Sequence, residues 1–234
     1  MPIKFSKDII AETAQMFTQL GGEFIIPPTD LAFKLKNIKC FVFDWDGVFN
    51  DGIKAIEKTS GFAEVDSMGV HIIRYAYWRL HGVLPIVAII TAQDNKTGLH
   101  FAEREHLTAA FAGFKDKSEP LQALQEQYAL QKHEIATVFD DIIDYPLAVG
   151  SGLRFMIRRN ASPMLKQYWV NHKLCDYITG SEQPHFPVRE VCELVIALWG
   201  NYDDMLISRF TDKETYAKFW NERQSVQTKI ITKK

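Results

Sequence analysis

The sequence is poor in the features that mark secreted, membrane-spanning and nucleic-acid-binding proteins. Its 3 cysteines are odd in number and widely separated, which argues against a disulfide framework or a zinc cluster and favours three buried thiols. The longest apolar run, at 83–90, is interrupted by Pro85 and is far short of the roughly 20 residues that span a bilayer. Basic residues number 27 and acidic residues 29, so the formal charge of −2 provides no global attraction to nucleic acid or to membranes. We therefore expect a cytoplasmic protein that binds neither.

The sequence also lacks internal repeats, low-complexity tracts and Gly/Ser linkers, and its 47% hydrophobic and 24% charged residues are typical of a globular protein. Short apolar runs alternate with longer amphipathic segments along the middle of the chain. Strands that alternate with helices form parallel βαβ units, so the pattern predicts an α/β fold with a Rossmann-like, doubly wound parallel sheet. The predicted strands are 38–43, 84–90, 108–112, 135–139 and 153–157, and the predicted helices are 70–81, 95–106, 117–131 and 163–170.

Residues 51–66 interrupt this alternation after the first predicted strand. The apolar residues Ile53 and Ile56 precede the turn Thr59-Ser60-Gly61, and Phe62 and Val65 follow it. Two short apolar runs joined by a glycine-containing turn predict a β-hairpin, which would form a flap beside the sheet.

The two ends of the chain differ from its middle. One amphipathic helix is predicted near the N-terminus, one apolar helix before residue 200, and a more polar segment rich in aromatic residues after it. These additions either pack on the core or serve a subunit interface. The predicted helices are 6–20 and 187–199, the polar segment is 203–223, and the predicted parts are an N-terminal helical extension at 1–36, an α/β domain at 37–200 and a C-terminal extension at 201–234.

Polar side chains follow four of the predicted strands, at the edge where open α/β sheets bind ligands. After the first strand, Asp44 and Asp46 stand in the run D-W-D-G, which by itself fits an Asx-type turn or an EF-hand fragment. An EF-hand loop needs Glu at its twelfth position, where counting from Asp44 gives Ala55, so that alternative fails. Carboxylates bind Mg²⁺, and a lysine and a hydroxyl can neutralise and orient a phosphate. The pattern suits phosphoryl transfer, and its side chains are Asp44, Asp46, Thr91, Lys117, Asp140, Asp141 and Asp144.

These residues, in this order, resemble the four motifs of the haloacid dehalogenase superfamily of phosphohydrolases over about residues 38–195. Within the superfamily, the sequence is similar to the capless branch of 3-deoxy-octulosonate 8-phosphate phosphatases and their relatives that act on nonulosonate 9-phosphates. The intervals between Asp44, Thr91 and Lys117 leave no room for a large cap domain. The segments that carry the resemblance to the branch are DWDGVFNDG at 44–52, DSMG at 66–69, GFKDK at 113–117 and VRE at 188–190.

The resemblance implies a role for each matching position. Asp44 would be the nucleophile that forms an aspartyl-phosphate, and Asp46 would be the general acid and base. The implied cofactor is Mg²⁺, bound by Asp44, the main-chain carbonyl of Asp46 and Asp140, with Asp141 or Asp144 in its outer shell. The phosphate would be bound by Thr91 and Lys117, and the rest of a small sugar-acid phosphate by Asp66, Ser67, Gly69, Gln93 and Arg189.

Several positions depart from the pattern of the branch. Gln93 stands where the branch has an arginine, so a cation that could pair with a substrate carboxylate is lost. Phe139 replaces a usual glycine, and the segment 180–190 has extra residues and fewer glycines. Since the catalytic positions match while the substrate-reading positions differ, we expect a working phosphatase with a shifted substrate. A weakly active or inactive binding or assembly protein with the same fold is the alternative.

The resemblance also implies a homo-oligomer, a tetramer whose neighbouring subunits roof each active site. A covalent phosphatase benefits from a partly enclosed site, and without a cap domain the enclosure must come from the hairpin, the C-terminal tail or another subunit. The alternative is that the helix at 6–20 and the segment 203–223 cover the hairpin within one chain.

Overall fold

An eight-stranded, largely parallel sheet runs through the computed structural model, which describes residues 6–54, 61–200 and 202–233. The strands are β1 (Glu23–Phe24), β2 (Cys40–Phe43), β3 (Ile86–Thr91), β4 (Ala109–Ala112), β5 (Ile135–Phe139), β6 (Leu153–Met156), β7 (Tyr177–Ile178) and β8 (Lys229–Thr232). They lie in the order β1-β7-β6-β5-β2-β3-β4-β8, and every neighbouring pair is parallel except β1 with β7. The predicted α/β class and parallel sheet are confirmed, and the described residues contain no large cap domain.

Helices cover both faces of the sheet. They are α1 (Lys7–Gln19), α2 (Pro28–Leu35), α3 (Glu64–His81), α4 (Lys96–Arg104), α5 (Ser118–Tyr128), α6 (Tyr145–Gly150), α7 (Pro163–Asn171), α8 (Pro187–Leu198), α9 (Tyr202–Thr211) and α10 (Lys213–Ser225). The core on one face includes side chains of α1, α2, α3 and α8, and the core on the other includes side chains of α5 and α6. Among the described residues, no helix has both the length and the apolar character that crossing a bilayer requires.

The side chains of β2 alternate between these two cores. Phe41 and Phe43 point into the core that contains α3 and α8, whereas Cys40 and Val42 point into the core that contains α5. A strand that is buried on both faces has an almost continuous apolar sequence, because successive side chains leave it on opposite sides. For this reason the run at 38–43 predicts a central strand.

The flap after β2 differs from the predicted hairpin. Residues 55–60, which include the first part of its turn, lie outside the described residues. On either side, 51–54 and 61–63 form no strand, and residues 64–66 begin helix α3 instead of ending a hairpin. Phe62 packs its ring against Trp45 and Phe101, so this side of the flap is anchored on the core.

Both ends of the chain join the sheet. β1 pairs with β7 at one edge, and β8 pairs with β4 at the other. Between α8 and β8, the helix α10 packs on α3, where the ring of Phe219 contacts those of His71 and Tyr75. All three cysteines are buried, as expected.

Candidate active site

Four neighbouring strands of the sheet bring the predicted catalytic side chains together. Asp44 follows β2, Thr91 ends β3, Lys117 follows β4 and Asp140 follows β5. Because the spatial order of these strands is β5-β2-β3-β4 and all are parallel, their carboxyl ends share one edge. Each of these four residues is buried and at most 3% exposed. The Nζ atom of Lys117 lies 2.5 Å from Oδ1 of Asp44 and 2.5 Å from Oδ1 of Asp144.

The buried ammonium of Lys117 is held by these two carboxylates. Burial alone lowers the pKa of Lys117, but the charges of Asp44 and Asp144 outweigh it, and the pKa lies above its ordinary value of 10.5. Lys117 therefore carries a fixed positive charge at the centre of the site. It faces the carboxyl ends of the strands, where an anionic group would enter.

Among the described residues of this group, the carboxylates outnumber the buried ammonium. Asp44, Asp140 and Asp144 each offer an oxygen within 4.8 Å of the others. Burial, reinforced by the charge of Asp144, raises the pKa of Asp44 well above its ordinary value. The same two causes raise the pKa of Asp140 to about 7.

The two carboxylate oxygens of Asp140 differ in their hydrogen bonding. Its Oδ2 accepts a hydrogen bond from Nε of Arg159 at 2.6 Å, and Nη2 of Arg159 also contacts it. Its Oδ1 is buried without a hydrogen-bond partner in the described part of the chain. Together with the carboxylates of Asp44 and Asp144, this unpaired oxygen forms a set of oxygen donors of the kind that binds a hard divalent cation such as Mg²⁺.

The carboxylate of Asp46 lies beside this group in more polar surroundings. Its Oδ2 is 2.6 Å from Nζ of Lys54 and accepts a hydrogen bond of 2.8 Å from Nδ2 of Asn95. Nδ2 of Asn95 also donates to Oγ1 of Thr91 at 2.7 Å. Asn95 therefore connects the loop after β2 with the end of β3 and fixes the orientation of Asp46 relative to Thr91.

Lys54, Asn95 and Arg159 are candidate site residues that the motif pattern did not predict. Arg159 and Asn95 follow the ends of β6 and β3, so the strand-end rule that selects Asp44 and Lys117 could have drawn attention to them. Lys54 had no such signal, because it lies in the flap.

The fourth strand-end motif forms a tight turn around Asp144. Oδ2 of Asp144 accepts hydrogen bonds from the backbone N–H groups of Asp140, at 3.3 Å, and Asp141, at 3.1 Å. Asp141 is exposed, and its Oδ1 accepts from the N–H of Ile142 at 2.7 Å. Phe139 is buried against the ring of Trp169. Asp144 thus lies at the centre of the site, whereas Asp141 caps the turn that follows.

Three of the residues that the sequence assigns to substrate binding lie where α3 meets α8. Oδ1 of Asp66 accepts a hydrogen bond of 2.9 Å from the backbone N–H of Arg189, at the start of α8. A Cβ atom on Gly69 would lie 3.1 Å from Cα of Arg189, so glycine allows the two helices to approach closely. The guanidinium of Arg189 pairs with Glu193 at 2.7 Å. In this arrangement, Asp66 and Gly69 hold the start of α8.

The other two residues assigned to substrate lie apart from each other. Oγ of Ser67 donates a hydrogen bond of 3.0 Å to Oε1 of Glu105, at the end of α4. The side chain of Gln93 is exposed in the loop after β3. The structure therefore brings together Asp66, Gly69 and Arg189, and places Ser67 in a different group of side chains.

Comparison with known proteins relates this geometry to characterised relatives. No family model matches the chain. The 3-deoxy-D-manno-octulosonate 8-phosphate phosphatase KdsC of Escherichia coli (strain K12) is 27% identical over 179 residues, which cover 75% of this chain and 88% of that protein.

Solved structures share the fold. A hydrolase of HAD superfamily subfamily III A from Legionella pneumophila aligns with a TM-score of 0.65 and 27% identity, over 81% of this chain and 95% of that one. The 3-deoxy-D-manno-octulosonate 8-phosphate phosphatase of Moraxella catarrhalis, in complex with magnesium, phosphate and KDO, aligns with a TM-score of 0.63 and 24% identity, over 77% and 98%. The chain is thus similar, in sequence and in fold, to phosphatases of the haloacid dehalogenase type, among them the 3-deoxy-D-manno-octulosonate 8-phosphate phosphatases.

Proposed function

We propose that the protein hydrolyses a small sugar-acid phosphate, of the 3-deoxy-octulosonate 8-phosphate or nonulosonate 9-phosphate type, in a Mg²⁺-dependent reaction. The observation that carries the proposal is the buried group of Asp44, Lys117, Asp140 and Asp144 at one sheet edge. It combines acceptors for a divalent cation with a fixed ammonium for a phosphoryl group. The similarity to KdsC supports the same substrate class.

The metal would be held by Asp44, by the main-chain carbonyl of Asp46 and by Asp140, whose unpaired Oδ1 fits a ligand role. When bound, Mg²⁺ offsets the repulsion between the carboxylates and an anionic phosphate. Arg159, on the other oxygen of Asp140, would orient this ligand from outside.

The reaction divides into two displacements at phosphorus. First, a carboxylate oxygen of Asp44 forms a bond to phosphorus while the bond from phosphorus to the sugar oxygen breaks, and Asp46 donates its proton to that oxygen. Asp46 then takes a proton from water, whose oxygen attacks the aspartyl-phosphate and releases Asp44. Lys117 and Thr91 bind the phosphoryl oxygens, and Asn95 and Lys54 hold Asp46 in position.

Turnover of an aryl phosphate tests this mechanism. We expect activity that requires Mg²⁺ and falls at least about a hundredfold in Asp44→Asn and in Asp46→Asn, because an amide is neither a nucleophile nor a proton donor at these positions. Asp116→Asn is the matched control, since Asp116 lies beside Lys117 but is exposed and bonds only Ser118 in the described structure. Asp44→Asn with most of its turnover would contradict the covalent mechanism. A native protein without turnover would favour the alternative of a binding or assembly protein.

Substrate choice is a separate prediction. Because Gln93 is exposed and uncharged where the branch has an arginine, we expect 3-deoxy-octulosonate 8-phosphate to be no better a substrate than other sugar-acid or sugar phosphates. The measurement is kcat/KM across a panel of these phosphates with purified protein. A roughly tenfold preference for 3-deoxy-octulosonate 8-phosphate, equivalent to about 1.4 kcal/mol of transition-state binding, would contradict it.

We further propose that the chain acts in the cytoplasm as a homotetramer in which a neighbouring subunit roofs each active site. The division into extensions at 1–36 and 201–234 around a domain at 37–200 also remains a proposal. The exposed apolar side chains of the flap support the assembly.

A further inference from the structure

A cavity of about 640 Å³ lies between α3, the end of α4 and the C-terminal helices α9 and α10. None of the side chains of the acidic group around Lys117 lines it. Its volume falls within the range of about 300–1,000 Å³ that small-molecule sites occupy. The walls are formed mainly by Arg104, Arg209 and Arg223 together with His71, Tyr216 and Trp220.

Positive charge exceeds negative charge around this cavity. Glu105, on its wall, accepts from Nη2 of Arg223 at 2.6 Å. Arg74, buried beneath it, donates to the backbone carbonyls of Glu105 at 2.5 Å and His106 at 2.9 Å, just beyond the end of α4. The partial negative charge at this end of α4 offsets part of the positive charge of Arg74. One carboxylate and two guanidinium groups therefore share the buried part of the cluster.

A further ion pair and an additional cation lie at the mouth of the cavity. Arg104 is paired with Glu64 at 2.7 Å. Arg209 lies 4.7 Å over the ring of Tyr216, and within the described part of the chain it pairs with no carboxylate. Among the described residues in and beneath the cavity wall, there are therefore four guanidinium groups and two carboxylates. The positive surroundings are reflected at His71, where burial and then the charges of Arg223, Arg209 and Arg74 lower the pKa to about 3.

Two buried donors in the cluster have no acceptor. The Nε atoms of Arg74 and Arg223 are buried without a hydrogen-bond partner among the described residues, and the two residues are 1% and 4% exposed. Leaving a charged donor unpaired in the interior is costly, so these two guanidinium groups add to the uncompensated positive charge beside the cavity. Arg223 lines the cavity, so an anion there would meet a cluster with donors in excess.

The apolar part of the cavity wall is aromatic. Tyr216 and Trp220 project from successive turns of α10, and the neutral imidazole of His71 faces them from α3 at centroid distances of 6.1 and 6.0 Å. Trp220 remains 40% exposed. Rings beside guanidinium groups suit a ligand that joins a planar ring to an anionic group, because the ring stacks while the oxygens accept hydrogen bonds.

We propose that this cavity binds a phosphate monoester that carries an aromatic ring, of the nucleoside monophosphate kind, at a site separate from the acidic group. A monoester dianion carries close to two negative charges and three acceptor oxygens, which matches the excess of guanidinium donors better than a single carboxylate does. The site is formed by the C-terminal helices together with α3 and α4, so it gives residues 202–225 a role in ligand binding.

Calorimetric titration with adenosine 5′-monophosphate tests the site. It is done with the full chain carrying Asp44→Asn and in EDTA, so that the probe is not hydrolysed. We expect Arg209→Gln to raise the dissociation constant at least about tenfold. Lys218→Gln, which removes an exposed cation on α10 away from the cavity, should change it less than about twofold.

Two further measurements test whether the aromatic rings of the cavity wall contribute to binding. Ribose 5-phosphate and inorganic phosphate should bind at least about tenfold more weakly than the nucleotide. Trp220→Ala should weaken nucleotide binding about fivefold or more without affecting inorganic phosphate. No nucleotide binding up to about 10 mM, or equal effects of Arg209→Gln and Lys218→Gln, would overturn the site. Equal affinity for nucleotide and ribose 5-phosphate would overturn the choice of an aromatic ligand. Because the titrated protein does not turn over, none of these failures bears on the phosphatase proposal.

Discussion

The folded structure disfavours ionisation of the buried carboxyl group of Asp66. Asp66 is fully buried between α3 and α8, and burial raises its pKa from 3.8 to about 6, although hydrogen bonds from the backbone N–H of Arg189 and from Gln183 act in the opposite direction. Because it also holds the first turn of α8, its charge affects stability rather than chemistry at phosphorus.

This pKa shift predicts the sign of a pH effect. The folded protein binds the Asp66 proton more tightly than the unfolded chain, so the contribution of this group to stability falls as pH rises from about 4 to about 6. Asp66→Asn removes the titration. The free energy of unfolding of the variant, relative to the native protein, should therefore increase by about 2 kcal/mol between pH 4 and pH 7, at 1.36 kcal/mol per pKa unit, because Asp66 of the unfolded chain is already partly ionised at pH 4. Urea unfolding at several pH values measures it.

The control for this prediction is an exposed carboxylate with the opposite shift. Hydrogen bonds from Ser118 lower the pKa of Asp116, so the same comparison with Asp116→Asn should give a small change of opposite sign. If the difference in the free energy of unfolding between Asp66→Asn and the native protein stays constant with pH, the pKa of Asp66 is not raised in the folded protein.

The individual site residues differ in how far the sequence alone could predict them. Asp44 and Lys117 were predictable because each follows a buried strand, and parallel strands bring their carboxyl ends to one edge. Arg159 and Asn95 also follow strands, but a single polar residue in a loop has no distinctive pattern. Their roles depend on contacts with Asp140 and Asp46 that only the folded chain creates.

Among the secondary-structure elements, the central strands were predictable and the edge strands were not. β5 has the predicted bounds, and the other central strands lie within the predicted ranges or one residue beyond them, because both of their faces are buried. β1 and β7 are two residues long, and β8 is mostly exposed along its length. Such strands form by backbone pairing with a neighbour, which leaves little trace in the pattern of hydrophobic residues.

Helix α3 shows how tertiary contacts override a local pattern. It begins at Glu64, whereas the hydrophobic periodicity predicts a start near residue 70. Its first turns contain Gly69, and a glycine inside a helix costs roughly 1 kcal/mol relative to alanine. The close contact with Arg189 and the hydrogen bond from its N–H to Asp66 depend on the first turns of α3, and a single-sequence pattern cannot include them.

For the whole molecule, the structure leaves apolar side chains of the flap uncovered. Ile53 is 63% exposed and Val65 is 41% exposed. The alternative that the terminal helices cover them within one chain finds no support among the described residues, because α1 packs on α8, and α10 packs on later turns of α3, at His71 and Tyr75. Phe62 is the exception, since its ring lies against Trp45 and Phe101. Exposed apolar residues beside Asp46 and Lys54 are favourable places for a second subunit to close the site.

We therefore expect light scattering at micromolar concentration to give about four times the 26.9 kDa mass of one chain. Ile53→Glu places a charge in the proposed interface, so it should reduce the mass and lower kcat/KM about tenfold, or roughly 1.4 kcal/mol of transition-state stabilisation, because the active site opens to water. Ile207→Glu is the matched control, since Ile207 is 59% exposed on α9 and lies outside the flap. A native protein with the mass of one chain and full phosphatase activity would exclude a roof shared between subunits. In that case a single chain would have to enclose the reacting phosphate.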